Sequence, residues 1–210
     1  DGVTFEITLA SFIVLSLGTI LIFFGRKHNK NIQKREGYII VSLGWIMMTV
    51  TGMLPFILTN SMIDISSTFF ETMSGYTATG ATILSEIESL PSGILFWRSM
   101  THWIGGMGII VLAVAVLPLL GIGGIQLFSA EAPGPNNDKL HPRITDTAKR
   151  LWFIYVSFTI LEAILLSFAG MSIFDAVNHA MSTMASGGFS TKNNSLAFWN
   201  HLPLVQYIII

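Results

Sequence analysis

The chain has 210 residues, 51% hydrophobic and 11% charged, with a net charge of −1 and no cysteine. A soluble domain carries about a quarter of its residues as Asp, Glu, Lys and Arg, so this composition argues against a soluble globule, and it excludes intrinsic disorder. The near-neutral charge leaves no electrostatic footprint for nucleic acid, and the missing thiols exclude a disulfide framework, a thiolate metal site and a cysteine nucleophile.

A helix needs about 20 mainly apolar residues to cross a hydrocarbon core about 30 Å thick. Residues 5–24 meet this, with Glu6 at the edge, and so do residues 38–59, which are uncharged and carry Pro55 near their end. Residues 103–122 are uncharged and belong to a helix expected to start near Phe96. Residues 151–170 hold one charge, Glu162, near the centre, and residues 202–210 begin a further run too short to cross. The first run has no basic flank before it and no small-residue cleavage site after it, so it does not read as a signal peptide. The chain opens without Met and closes inside an apolar run, so it is expected to be cut from a longer polypeptide at both ends.

Nine of the eleven basic residues fall in two places. Arg26, Lys27, Lys30, Lys34 and Arg35 follow the first run; Lys139, Arg143, Lys149 and Arg150 follow the third. Basic residues stay on the cytoplasmic side, so loops 25–37 and 121–150 are expected there, and residues 60–96 and 171–201 outside.

Those two outer segments are neither plain loops nor spans. In the first, residues 64–77 read as a short helix with an Asp64 or Ser cap, followed by the small, hydroxylated run Ala78-Thr79-Gly80-Ala81-Thr82-Ile83-Leu84. In the second, residues 172–185 read as a short amphipathic helix, followed by Ser186-Gly187-Gly188-Phe189-Ser190-Thr191. Each pair is too short and too polar to cross, and fits a half helix entering from outside with an extended return. Aligning Gly80 with Gly188 gives an offset of 108, at which Met73-Ser74 meets Met181-Ser182, Thr82 meets Ser190 and Glu71 meets His179. Matched order and matched topology make this an internal repeat.

Non-helical backbone at membrane depth must be buried in protein or line a wet cavity. Carbonyls of such a segment can converge and replace the hydration shell of a cation, and the carbonyl end of each half helix adds partial negative charge. Glu86 and Glu88 at the outer mouth would raise the local cation concentration. Glu71 and His179 occupy equivalent places in the two short helices, where each could brace the return from behind or simply cap a polar cavity. Gly105-Gly106-Met107-Gly108 lies within a span and reads as close helix packing. Glu162, outside the repeat match, could contribute to a proton or ion path, and reads rather as a side chain buried against a neighbouring helix and hydrogen-bonded, or protonated. The five histidines show no metal-ligand spacing.

Residues 68–82, Thr-Phe-Phe-Glu-Thr-Met-Ser-Gly-Tyr-Thr-Ala-Thr-Gly-Ala-Thr, resemble the first pore loop of the TrkH family of potassium-uptake proteins. Residues 96–118 look like its following helix, Glu131-Ala-Pro-Gly-Pro135 with His141-Pro-Arg-Ile-Thr145 is similar to its cytoplasmic link, and residues 185–191 resemble its second pore loop. The link makes the likeness closer to TrkH than to KtrB. The resemblance implies an all-α membrane protein of span–pore helix–filter–span repeats, as in potassium channels, with Ala78, Thr79 and Gly80 in the first filter segment and Ser186, Gly187 and Gly188 in the second. It implies residues 1–37 as a preceding helix and basic loop, 38–130 as repeat one, 131–146 as the link and 147–210 as repeat two, cut short. It further implies potassium as cargo with no cofactor, a homodimer in the inner membrane, and a cytoplasmic nucleotide-binding, TrkA-like regulatory partner. Repeats three and four of that family are absent, and no Thr-Val-Gly-Tyr-Gly run is present. Within the same fold, sodium or proton-coupled cation transport stays open. An intramembrane enzyme using Glu162 and His179 lacks a converging nucleophile or metal, and a scaffold leaves the duplicated segments unexplained.

Overall fold

The computed structural model describes residues 2–25, 34–62, 64–120 and 140–209. Most of the expected basic loop after the first span, residues 26–33, lies outside them, as do residues 121–139, which hold the Glu131-Ala-Pro-Gly-Pro135 part of the expected link.

Every regular element among the described residues is helical. Helix α1 spans Thr4–Gly25, and α2 spans Lys34–Gly52. Pro55 cannot donate into the preceding turn, so the chain steps at Met53 and restarts as the five-residue α3, Leu54–Leu58, with the proline in its first turn. The twelve-residue α4 covers Ile65–Tyr76, and α5 runs 29 residues from Ser92 to Leu120, starting four residues before Phe96. Helix α6, Leu140–Phe168, carries Pro142 in its first turn, where no N–H is needed. The His141–Thr145 part of the expected link is therefore helical backbone. The twelve-residue α7 is Ile173–Met184, and α8 is Pro203–Ile209. Thr4–Gly25, Tyr38–Leu58 and Thr147–Phe168 are long and apolar enough to cross a membrane.

The 108-residue offset holds residue for residue across the short helices. Adding it to Ile65–Tyr76 gives Ile173–Met184, which are the bounds of α4 and α7. Both start on a matched cap: Asp64 accepts from the Ser67 N–H at 2.7 Å, and Ser172 Oγ from the Asp175 N–H at 3.1 Å. Hydrogen bonds from Ser67, its side chain first, hold the Asp64 carboxyl below its ordinary value. The charged cap is thus in place above the ordinary carboxylate range and is lost as pH falls below it. Both helices also end alike. Ala78 N–H donates to the Gly75 carbonyl and Thr79 N–H to Ser74; 108 residues on, Ser186 N–H donates to Thr183 and Gly187 N–H to Ser182. Each is the paired closure around one left-handed residue that ends many helices.

Helix α5 is the central element, packing on α2, α4, α6 and α7. Trp97 Nε1 donates to the Gly52 carbonyl at 3.0 Å, Trp103 Nε1 to Thr159 Oγ1 at 3.1 Å, and Tyr155 Oη to the Trp103 carbonyl at 3.1 Å. Each half of the chain has an apolar cluster: Phe56, Met62 and Ile94 in the first; Leu166, Met171, Ala176, Ala180, Trp199 and Val205 in the second. Many polar side chains are buried too, among them Thr68, Glu71, Thr72, Arg98, Thr101, His102, Asn178 and His179, while Phe5, Phe12, Phe23, Phe24, Phe153 and Phe158 face outward. That inversion suits a lipid exterior around a hydrophilic centre.

Candidate functional site

The carbonyl ends of α4 and α7 are seated on neighbouring residues of α5. A Cβ at Gly105 would fall on the Tyr76 carbonyl, and one at Gly106 would lie 3.0 Å from Ala185 Cβ. The expected close-packing role of this glycine run is what the geometry gives, and the contact is with both short helices at once.

The two returns leave those ends in matched conformations. Ala78 and Gly80 have φ of 52° and 76°, and Ser186 and Gly188 have 56° and 86°. Thr79 and Gly187 between them are not left-handed. The sequence leads one to expect extended returns; the alternation explains why no strand forms, since a left-handed residue reverses the local curl and breaks any ladder. A Cβ on Gly80 would fall on the Gly187 carbonyl, so the two segments abut. Gly187 is buried; Ala78 and Gly80 are half-buried, and Thr79, Ser186 and Gly188 are exposed.

Behind each segment, the offset-matched pair is hydrogen-bonded. Glu71 accepts from Thr82 Oγ1 at 2.9 and 3.0 Å and from the Ile83 N–H at 3.0 Å. His179 Nε2 lies 3.0 Å from Ser190 Oγ, and its Nδ1 lies 2.8 Å from the Asp175 carbonyl. The Leu84 and Lys192 N–H groups then donate to Thr82 Oγ1 and Ser190 Oγ respectively. The chemistry differs between the units. His179 is satisfied within its own unit, whereas Glu71 is paired with Arg98, Nε to Oε1 2.8 Å, with both side chains almost wholly buried. Arg98 also donates to Thr82 Oγ1 and, across the units, to the Ser190 carbonyl, each at 3.2 Å. Its Cζ lies 4.0 Å above the Phe189 ring.

The outer edges of the two returns are joined as well. Asn193 Oδ1 accepts from the Ile87 N–H at 2.7 Å, the Asn193 N–H donates to Glu88 at 3.3 Å, and Lys192 Nζ lies 3.7 Å from Glu88. Glu86 and Glu88 therefore tie one return to the other, in addition to any pull on cations.

The six expected segment residues and both expected supports, Glu71 and His179, thus come together. Arg98 and His102 did not figure among the candidates. The available signal was an arginine in an otherwise apolar helix, which marks function by default, with a histidine one turn on. Glu162 is buried in α6 with the Thr183 side chain, in the last turn of α7, as a hydrogen-bond partner, and among the described residues its Oε1 has none. Among the described residues no group of His, Asp and Glu could hold a metal ion.

The TrkH family, described as cation transport proteins, matches residues 3–210. The chain belongs to the TrkH family. It is 49% identical over 211 residues to the Trk system potassium uptake protein TrkH of Salmonella typhimurium, covering 100% of this chain and 44% of that protein. It is 42% identical to the potassium uptake protein TrkG of Escherichia coli, over 84% of this chain and 37% of that one. The crystal structure of the potassium transporter TrkH from Vibrio parahaemolyticus matches with a TM-score of 0.85 at 41% identity, covering 100% of this chain and 42% of that structure. The chain thus spans less than half the length of these TrkH relatives. Family and apolar helices together make it part of a membrane protein.

Proposed function

We propose that this chain is the potassium-conducting core, in part, of a Trk-type uptake transporter, with residues 78–80 and 186–188 as filter segments on re-entrant loops. The observation that carries this reading is the duplicated pair of short helices, whose carbonyl ends abut through glycine-bearing segments of alternating hand. Alternation lets successive carbonyls face one side, where they can stand in for a cation's water shell. The carbonyl ends of α4 and α7 add partial negative charge, and the buried Glu71–Arg98 pair and His179 hold the segments from behind. The relatives' names support potassium as the cargo and uptake as the activity.

In this reading residues 38–130 and 147–210 are two span–pore helix–filter–span repeats, joined by a cytoplasmic link at 131–146 and preceded by the span and basic loop of 1–37. The loops at 25–37 and 121–150 face the cytoplasm, and the pore loops face outward across the inner membrane. The complete protein pairs as a homodimer and is regulated by a cytoplasmic nucleotide-binding subunit.

The test is potassium uptake by the full-length protein in a host that needs it for growth, with Gly80→Ser and Gly188→Ser beside wild type. Wild type restores growth at low potassium, and each substitution shifts the potassium-to-sodium preference by about tenfold, the factor 1.4 kcal/mol represents. Uptake with unchanged preference in both would place the pathway elsewhere. Glu162→Gln, which keeps the size of the side chain and a hydrogen-bonding group for Thr183, is expected to leave uptake at the wild-type level. Failure of that variant to support growth at normal expression would assign Glu162 a role in transport.

A further inference from the structure

We propose that His102, carried by α5 of the first unit, positions the glycine segment of the second unit and thereby sets its cation preference, acting through Gly187; this rests on the filter reading above. His102 is fully buried. Its ring stacks on Phe189 with centroids 3.9 Å apart and planes at 15°, and its Nδ1 lies 3.0 Å from Ser182 Oγ. Ser182 is in the last turn of α7, and its carbonyl receives the Gly187 N–H at 2.8 Å. One imidazole therefore touches the helix end, the residue after the glycine pair, and Gly187 itself. Its hydrogen bond to Ser182 runs through Nδ1, and among the described residues its Nε2 has no partner.

The three glycines differ in what demands them. Gly80 and Gly188 have left-handed φ, which any side chain would strain, and a Cβ at Gly80 would strike backbone. Gly187 is not left-handed, and the three atoms nearest to a Cβ there are Nδ1, Cε1 and Cγ of His102. The imidazole fills the space of the missing side chain and forms the back wall of the segment. Arg98, one turn earlier on α5, continues that wall to Phe189 and the Ser190 carbonyl. The second segment is thus held by its own helix end through backbone bonds and walled from behind by side chains of the first unit, while His179 of its own unit reaches the Ser190 side chain.

This makes a size-swap prediction. In the full-length transporter, Gly187→Ala alone should lower potassium uptake by about tenfold or more, and adding His102→Ala should recover it to within about threefold of His102→Ala, a coupling that contacting residues show and separate sites do not. His102→Ala alone should accumulate in the membrane and still conduct, with a lower potassium-to-sodium preference and a raised apparent KM for potassium. Should it fail to accumulate, His102→Asn, which is smaller and can still bond Ser182, takes its place in the cycle. A double variant as impaired as Gly187→Ala, or a His102 variant with unchanged preference and KM, would overturn the proposal. Gly188→Ser measured alongside separates the two levels. A shift in its preference without His102–Gly187 coupling sinks only the positioning role; no shift in it or in Gly80→Ser sinks the filter reading and this proposal with it.

Discussion

Replacing Glu71 by Ala is expected to abolish potassium uptake and to destabilise the full-length protein by about 3–5 kcal/mol, the range found when one partner of a buried ion pair is removed. Glu71 and Arg98 are 2.8 Å apart with side-chain exposures of 0% and 2%, so the remaining guanidinium would have no solvent to turn to. Loss of Glu71 also strands the Ile83 N–H and removes the acceptor of the Thr82 hydroxyl, both directly after the first segment. Glu71→Gln should not rescue it. One carboxylate oxygen receives Arg98 Nε–H and the other the Ile83 N–H, so an amide turned either way sets its NH₂ against a donor. Arg98→Lys should fail as well, because a single ammonium cannot reach Glu71, Thr82 and the Ser190 carbonyl from one rigid plane. A Glu71→Met/Arg98→Met double variant separates the contributions. An apolar replacement of both charges is often neutral for stability, so thermal stability in detergent should return in large part, short of wild type because the Ile83 N–H and the Ser190 carbonyl keep no partner there, while the potassium-to-sodium preference should not return. Selective uptake by the double variant would show that the pair holds the fold together and has no part in shaping the pathway.

This pair also marks where sequence reasoning stops. The short helices were legible because their signals are local: Asp64 and Ser172 at N-cap positions, and one 108-residue register that aligns them. The same register pairs Glu71 with His179 and Thr82 with Ser190, and each support does bond to its own unit's hydroxyl eleven residues on. Nothing local announces that Arg98 reaches back 27 residues to Glu71 and forward 92 residues to Ser190. In sequence it reads as a stray cation on the outer side. Glu86 and Glu88 show the converse: their charge reads as an attraction for cations, yet part of their bonding capacity goes to Asn193 and Lys192, more than a hundred residues away. Backbone conformation was half legible. Gly80 and Gly188 signal left-handed φ, but Ala78 and Ser186 adopt it too, because the helix closure places the residue after the C-cap there whatever its side chain.

The glycines of α5 should divide sharply by what faces them. Gly105→Ala is expected to cost about 1–3 kcal/mol or more, as overpacking does when neighbours cannot yield, and to remove uptake. The three atoms nearest to its Cβ are the oxygen, carbon and Cα of Tyr76, all backbone at the end of α4, two residues before Ala78. Only a shift of that helix end can make room, and the shift passes directly into the first segment. Gly106→Ala should be milder: its nearest atom is the Tyr155 hydroxyl at 2.7 Å, the far end of a side chain, although Ala185 at 3.0 Å limits the relief. Gly108→Ala meets only Trp45 at 3.8 Å, an ordinary contact, and should stabilise slightly because alanine favours a helix interior by about 0.5–1 kcal/mol over glycine. Melting temperature and potassium uptake, measured for all three in the full-length protein, should fall in the order Gly108, Gly106, Gly105. Because all three lie within one turn of one helix, helix propensity alone would treat them alike. Equal effects would therefore mean that α5 does not seat the carbonyl ends of α4 and α7, and that the two segments owe their alignment to something else.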